Sequence, residues 1–284
     1  MAKVVGVVNF STLCKKNSGS FISSRENDWG EHVSRILKPE RLMLRLKLFT
    51  ELSLPLFDVQ ELQPKKEWFR LVVIISDLLP EEYKLQLKKA EAMRPWLTIE
   101  ERSENDWLDA KGAIKRALFD MVRDEEADVV PFASFRLDDD DFISINFLKE
   151  VTEHVTKSNV NSFLTFSNGY KCVWEKERIT NIVPVHMPLI AIGLTHIGLY
   201  NKKLDCFSTK PETVFAGINH YELNKDHNVI DIETSAGFVW SQHNHQDTAG
   251  RFKSSEIKNE WNELGPQIID YLLTFPPLIT RLKL

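Results

Sequence analysis

Apolar and polar positions follow two rhythms along the first half of the chain. Val4 to Phe10 is a continuous β-branched run ending at Asn9-Phe10-Ser11, the pattern of a buried strand. Phe69 to Ser76 repeats it and closes at Asp77, Trp96 to Ile99 gives a short third strand, and Val129 to Leu137 a fourth. Between them the apolar spacing changes to three and four residues. Pro39 to Leu52 starts with Pro and carries Leu42, Leu46, Phe49 and Leu52 on one helical face. Pro80-Glu81-Glu82 opens a helix to about Met93, and Asp106 to Arg123 predicts another with Ala110, Ile114, Ala117, Leu118 and Met121 aligned. Lys15 to Gly30, rich in Ser, Asn and Gly, reads as a loop. The order β-α-β-α-β-α-β implies an α/β fold with a mainly parallel sheet, helices on both faces and right-handed crossovers.

The second half changes character. After a predicted helix from Phe142 to Lys157 come short apolar pieces at Phe163 to Phe166, Lys171 to Trp174, Ile179 to Val185 and Pro188 to Leu194. Asn168-Gly169, Pro184 and Pro188 punctuate them, so this half reads as antiparallel strands and ordered loops within a mixed sheet. A helix near Glu212 to Leu223, strands at Val229 to Ile232 and Gly237 to Ser241, and a helix from Ser254 to Phe275 interrupted near Gly265-Pro266 complete the prediction. Pro277 to Leu284 reads as a frayed terminus, or as a short apolar and basic segment able to touch a bilayer without anchoring in it.

Composition narrows the class. A chain of 284 residues can form one large α/β domain, here with halves at 1–141 and 142–284. The net charge of −5 argues against a nucleic-acid partner. Cys14, Cys172 and Cys206 are too few and too scattered for a disulfide framework or a zinc motif, so a reducing compartment is expected. Neither a signal peptide nor a run of ~18 apolar residues is present, which predicts a cytoplasmic protein.

The chemistry concentrates where the fourth strand stops, at Arg136-Leu137-Asp138-Asp139-Asp140-Asp141. Four adjacent carboxylates repel one another and call for a compensating cation. Mg2+ or Mn2+ favours one or two carboxylates with waters and phosphates, and ligands of open α/β sheets gather beyond the carboxyl ends of strands. A metal-bridged diphosphate is therefore expected there. The plainer alternative is that the aspartates cap and charge the following helix.

The chain resembles the GT-A glycosyltransferases, and among them the bacterial family of proposed rhamnosyltransferases. The residues that carry this resemblance are Arg45-Leu46-Lys47-Leu48-Phe49 with Leu54-Pro55, Val72 to Asp77 with Pro80, Arg136 to Asp141, and Trp240-Ser241-Gln242-His243-Asn244. It implies a GT-A-like domain whose N-terminal half binds a nucleotide diphosphate sugar and whose C-terminal half binds a glycan acceptor. That acceptor would be lipopolysaccharide, capsule or a similar surface glycan, lipid-linked at the inner membrane face. By motif position Asp140 is the direct ligand of Mn2+ or Mg2+, and Asp138 holds the ribose or the ion's water shell. Asp141 faces the sugar, and His243 completes the metal site with His245 as its rival. Arg136 belongs to the nucleotide-binding group. Asn9 lies in Val8-Asn9-Phe10 where many members have Thr-Arg-Phe, and takes the position of a nucleotide contact. Asp77 contacts base or ribose, or else caps a helix, and Arg251 with Lys253 clamps the diphosphate. An inverting enzyme needs a carboxylate base, for which Glu212 has the expected spacing and Glu222 and Asp231 compete; a retaining one needs none. Trp174, Tyr170 and Trp240 form a sugar platform or pack the core. The competing reading is a metal-dependent phosphohydrolase or nucleotidyltransferase using the same Asp and His residues.

Overall fold

The structure, a computed structural model, describes residues 1–15, 28–106, 109–175, 177–215, 217, 219–233, 236–246 and 273–282. The four predicted N-terminal strands are present as β1 (Lys3–Phe10), β2 (Phe69–Ser76), β3 (Leu97–Arg102) and β4 (Val129–Asp138). Strand β1 pairs in parallel with both β2 and β4, and β2 with β3. The intervening helices are α1 (Trp29–Ile36), α2 (Pro39–Leu48), α3 (Leu54–Asp58), α4 (Glu81–Ala92) and α5 (Ala110–Met121). Trp29 and Gly30 open α1 rather than ending a loop, because the side chain of Asp28 accepts the Glu31 N–H and caps the first turn. Asp109, three residues past the expected start, caps α5 by accepting the Gly112 N–H at 2.7 Å.

The helix begun at Pro39 continues past its predicted end at Leu52. Between α2 and α3 it widens into a π turn at Phe49–Ser53, where the Leu54 N–H reaches the Phe49 carbonyl five residues back. Pro55 supplies the reason: it has no N–H for the Glu51 carbonyl, and its ring crowds that oxygen. The inward face of α2 carries Leu42 and Leu46 into the main core, together with buried Arg41 and Arg45. Two arginines one turn apart on a buried face require anionic partners.

The C-terminal half adds β5 (Phe142–Ile143), α6 (Phe147–His154), β6 (Phe163–Thr165), β7 (Asn168–Glu175), β8 (Arg178–His186), β9 (Thr195–Asn201), β10 (Cys206–Phe207), α7 (Leu223–Asp226), β11 (Val229–Asp231), β12 (Phe238–Gln242) and α8 (Pro276–Ile279). Among the described residues the large sheet runs β11-β6-β9-β4-β1-β2-β3, with β10 on β9, and a second sheet runs β5-β12-β7-β8. The fold is thus a Rossmann-like mixed α/β architecture. The second half is not purely antiparallel: β11 joins β6, and β12 joins β7, in parallel.

Four sequence expectations need correction. Phe142 and Ile143 are strand rather than helix, since both are buried and pair with Val239 and Phe238. The helix starts at Phe147 behind Asn146, so the aspartates do not cap it. Pro188 to Leu194 is a turn with Leu189 and Gly193 at positive φ, and the strand begins at Thr195. Glu212 does not open a helix; the short helical turns lie at His220–Glu222 and Leu223–Asp226. The described part of the last segment is also not frayed. Phe275, Leu278 and Leu282 pack with Leu48, Leu52 and Leu56, and Arg281 pairs with Glu51 at 2.5 Å. The predicted helix from Ser254 lies almost wholly outside the described residues.

Strand β4 divides its side chains between two cores. Ala133, Phe135 and Leu137 face the main core, whereas Val130 and Phe132 face the cluster built on α5. The Phe135 ring lies over Gly6 of β1 so closely that a Cβ there would sit 2.3 Å from it. Gly6→Ala is therefore expected to lower unfolding free energy by about 1–3 kcal/mol, measurable by urea denaturation.

Candidate functional site

Where β4 ends, the aspartates separate by environment. Asp138 stays exposed, across from Asn9 in the β1–β4 register, with an Arg136 guanidinium nitrogen 3.8 Å from its Oδ1. Asp139, Asp140 and Asp141 turn inward and are buried. Three inward carboxylates are held by two elements distant in sequence. From α2, Arg45 donates through one guanidinium nitrogen to Asp139 Oδ1 and places the other 2.9 Å from Asp140 Oδ2. Arg41 lies one turn earlier, donating to Ser11 Oγ and the Ile36 carbonyl, and adds a second nearby positive charge.

From β12 come Ser241 and His243. The Ser241 N–H donates to Asp141 Oδ1 at 3.1 Å, and its hydroxyl donates to the Asp140 carbonyl. His243 is buried directly after the strand, with Nε2 3.0 Å from Asp140 Oδ2. Its Nδ1 accepts the His245 N–H at 3.2 Å, which assigns the ring hydrogen to Nε2 and makes it the donor to Asp140.

These contacts set the ionisation of the group. Burial alone would raise the Asp140 carboxyl, but Arg45 and the His243 hydrogen bond outweigh it and hold Asp140 well below the usual carboxylate range. Burial pushes Asp139 up to about 6, with Arg45 opposing and the Asp140 charge reinforcing. Burial and the neighbouring charges of Asp140 and Asp138 raise Asp141 well above its ordinary value, only partly offset by Ser241. One inward carboxylate, Asp140, is thus kept anionic while its two neighbours resist ionisation.

A pH dependence follows. A carboxyl raised in the folded state keeps its proton where the unfolded chain has lost it, so the Asp139 contribution to stability falls as pH rises from about 4 to about 6 and then levels. Above about pH 5 Asp140 is ionised in both states and contributes no slope. Asp139→Asn should remove the Asp139 share of the fall, by at most about 3 kcal/mol, seen as a flatter curve of urea midpoint against pH.

The remaining candidates are dispersed. Asp77 accepts the Glu104 N–H at 3.0 Å, tying the turn after β3 to the end of β2; the cap of α4 is Pro80 instead. Glu212 forms an ion pair with Lys111 in the first turn of α5. Glu222 pairs with Lys225 at 2.5 Å, and Asp231 accepts from the Ser167 backbone and hydroxyl. Tyr170 and Trp174 belong to the core, while half-buried Trp240 carries Lys171 over its ring at 5.3 Å. Arg251 and Lys253 lie outside the described residues.

Sequence reasoning did not give Arg45 and Ser241 their parts. The signal for Arg45 was available: a cationic side chain one turn from a second one, on the apolar face of a helix, in a chain with an acidic strand end.

A divalent cation would find suitable donors here. Asp140 Oδ2 and His243 Nε2 are 3.0 Å apart, about the separation of neighbouring ligands around a six-coordinate ion with ~2.1 Å bonds. Among the described residues no three His, Cys, Asp or Glu side chains are arranged to hold an ion, which leaves further positions to water and phosphate. Ligation by Nε2 would require its hydrogen to move to Nδ1 and the His245 contact to open.

A Rossmann-like mixed sheet presenting Asp-x-Asp at the carboxyl end of its fourth strand defines a protein of the GT-A-like class. The chain belongs to the family described as "putative rhamnosyl transferase", whose pattern matches residues 3–254. No curated protein matches it. Among solved structures it is similar to S. aureus TarS 1–349 at 12% identity, covering 85% of this chain and 60% of that one with a TM-score of 0.34. For S. aureus TarS the values are 10%, 97%, 44% and 0.35. For the T. maritima inositol-1-phosphate CTP transferase they are 10%, 90%, 93% and 0.33. Likenesses of this degree decide nothing about what the chain does. Among the described residues no helix is long and apolar enough to cross a membrane.

Proposed function

We propose that this protein transfers a sugar, rhamnose by the sense of its family, from a nucleotide diphosphate sugar to a bacterial surface glycan, with Mg2+ or Mn2+ at Asp140 and His243. The observation that carries the reading is Asp140, a buried carboxylate kept anionic by Arg45 and His243 at the carboxyl end of the central strand. Buried charge of this kind is costly to maintain and is concentrated at working sites. When bound, the ion would neutralise charge gathering on the departing diphosphate.

The chain's own residues would divide the rest of the task. Asp138, exposed beside Asn9, would meet the ribose or the ion's water shell at the rim. Arg136 stands next to it and can pair with a phosphate. Asp141, anchored on Ser241, fixes the β4 end against β12 and so keeps Asp140 and His243 in register. A lipid-linked acceptor and a base at Glu212 belong to the same proposal. Their support is the family resemblance.

A thermal-shift panel of nucleoside diphosphates and nucleotide sugars, each with Mn2+, Mg2+ or EDTA, tests it. A ligand at 100 times its Kd should add about 2.7 kcal/mol to stability. Stabilisation by one nucleotide that is lost in Asp140→Ala supports transfer. Stabilisation by metal with no added nucleotide effect would instead direct attention to phosphoester hydrolysis.

A further inference from the structure

We propose that Arg45 is a two-position counter-ion. With no divalent cation present it bridges Asp139 and Asp140; when a cation takes Asp140, it moves wholly onto Asp139. This rests on the divalent-cation part of the proposed function, in which Arg45 serves only to keep Asp140 ionised.

Three observations carry it. First, Asp140 Oδ2, the oxygen nearest His243, already receives Arg45 at 2.9 Å and His243 at 3.0 Å. A cation arriving at that oxygen meets a guanidinium in place, and two positive charges at such separation repel strongly in a buried setting. Arg45 cannot lose its proton to relieve this. Second, the alternative position is prepared. Asp139 takes Arg45 through Oδ1 alone, whereas its Oδ2 is buried with no hydrogen-bond partner. A guanidinium fork matches both oxygens of one carboxylate, so sliding onto Asp139 satisfies the orphaned oxygen while releasing Asp140. Third, the movement is short. The two aspartates are adjacent in the chain, and a long side chain can exchange between them without displacement of α2. Throughout the exchange Asp139 keeps a cationic neighbour, and Asp140 trades a guanidinium for the ion.

The arrangement predicts opposite effects from two residues that are not themselves ligands. Arg45→Met removes the competitor and should tighten Mn2+ binding at least about tenfold, read by electron paramagnetic resonance of free Mn2+. Asp139→Asn removes the alternative position, leaves Arg45 on Asp140, and should weaken Mn2+ about tenfold. Simple loss of charge at Asp139 would weaken it by the same factor with or without Arg45. The proposal requires coupling: in Arg45→Met, Asp139→Asn should change Mn2+ affinity less than about threefold. Arg45→Lys, which keeps a cation for folding but lacks the fork, should have an affinity between wild type and Arg45→Met. If Arg45→Met does not fold, the same cycle is read in Arg45→Lys, where the Asp139→Asn effect should shrink. Equal Asp139→Asn factors in both backgrounds, or no tightening by Arg45→Met or Arg45→Lys, would overturn the proposal.

Absence of Mn2+ binding in wild type and every variant would overturn it as well. A parallel nucleoside diphosphate thermal shift in EDTA then separates the cases: stabilisation leaves the transferase reading standing, and none removes both.

Discussion

Asp140→Asn should reduce kcat/KM for sugar transfer by about a thousandfold, the scale seen when a group that stabilises transition-state charge is removed. The substitution is nearly isosteric, and Asn can still accept from both Arg45 and His243, so the melting temperature should move only a few degrees. What disappears is the formal charge that two elements keep in place against burial. The measurement is steady-state kinetics with donor and acceptor, alongside a melting curve on the same preparation. A loss in kcat with donor KM little changed would mean that Asp140 acts on the departing diphosphate; a loss confined to KM would mean that it only positions the donor. Full activity in a folded Asp140→Asn protein would remove this residue from the chemistry.

Arg45→Met should cost about 3–5 kcal/mol of stability at neutral pH, the range for breaking a buried ion pair from one side. Methionine roughly preserves the apolar length of the side chain, so lost packing contributes little. The cost arises because Asp139 and Asp140 remain buried while their main counter-charge is gone. Linkage gives a second signature. Without Arg45 both carboxyls should titrate higher, so the variant should regain stability as pH falls below about 6, where wild type gains less. Urea denaturation at pH 5 and pH 7.5 on the two proteins checks both statements. A pH-independent difference would assign the loss to packing.

Much of the fold was legible because its strands are uninterrupted apolar runs. Val4 to Phe10 and Phe69 to Ser76 admit no other reading, and their helices announce themselves by Pro starts and acidic first turns. Phe142-Ile143 misled because two apolar residues followed by an amphipathic stretch look like one helix; only their pairing with β12, nearly a hundred residues away, makes them strand. Thr195–Asn201 escaped notice because it begins with Thr and His, polar residues that the interior nonetheless encloses. At the site, Asp140 and His243 were legible from motif and position. The partner of the acidic run was not: repulsion among carboxylates says that a cation is needed, but not that α2 delivers one from ninety-four positions earlier in the chain.

The group around Asp140 is stitched across long intervals, with Ser241 reaching Asp141 over 100 positions and His243 reaching Asp140 over 103. During synthesis, the α2 arginine and the β4 aspartates leave the ribosome long before the strand that carries the imidazole, an interval of several seconds at about 5–20 residues per second. A nascent chain arrested before β12 would hold the acids and their guanidinium without the histidine that shares Asp140. Competence for chemistry should therefore arrive abruptly, with the last-made strand of the second sheet, rather than grow with chain length.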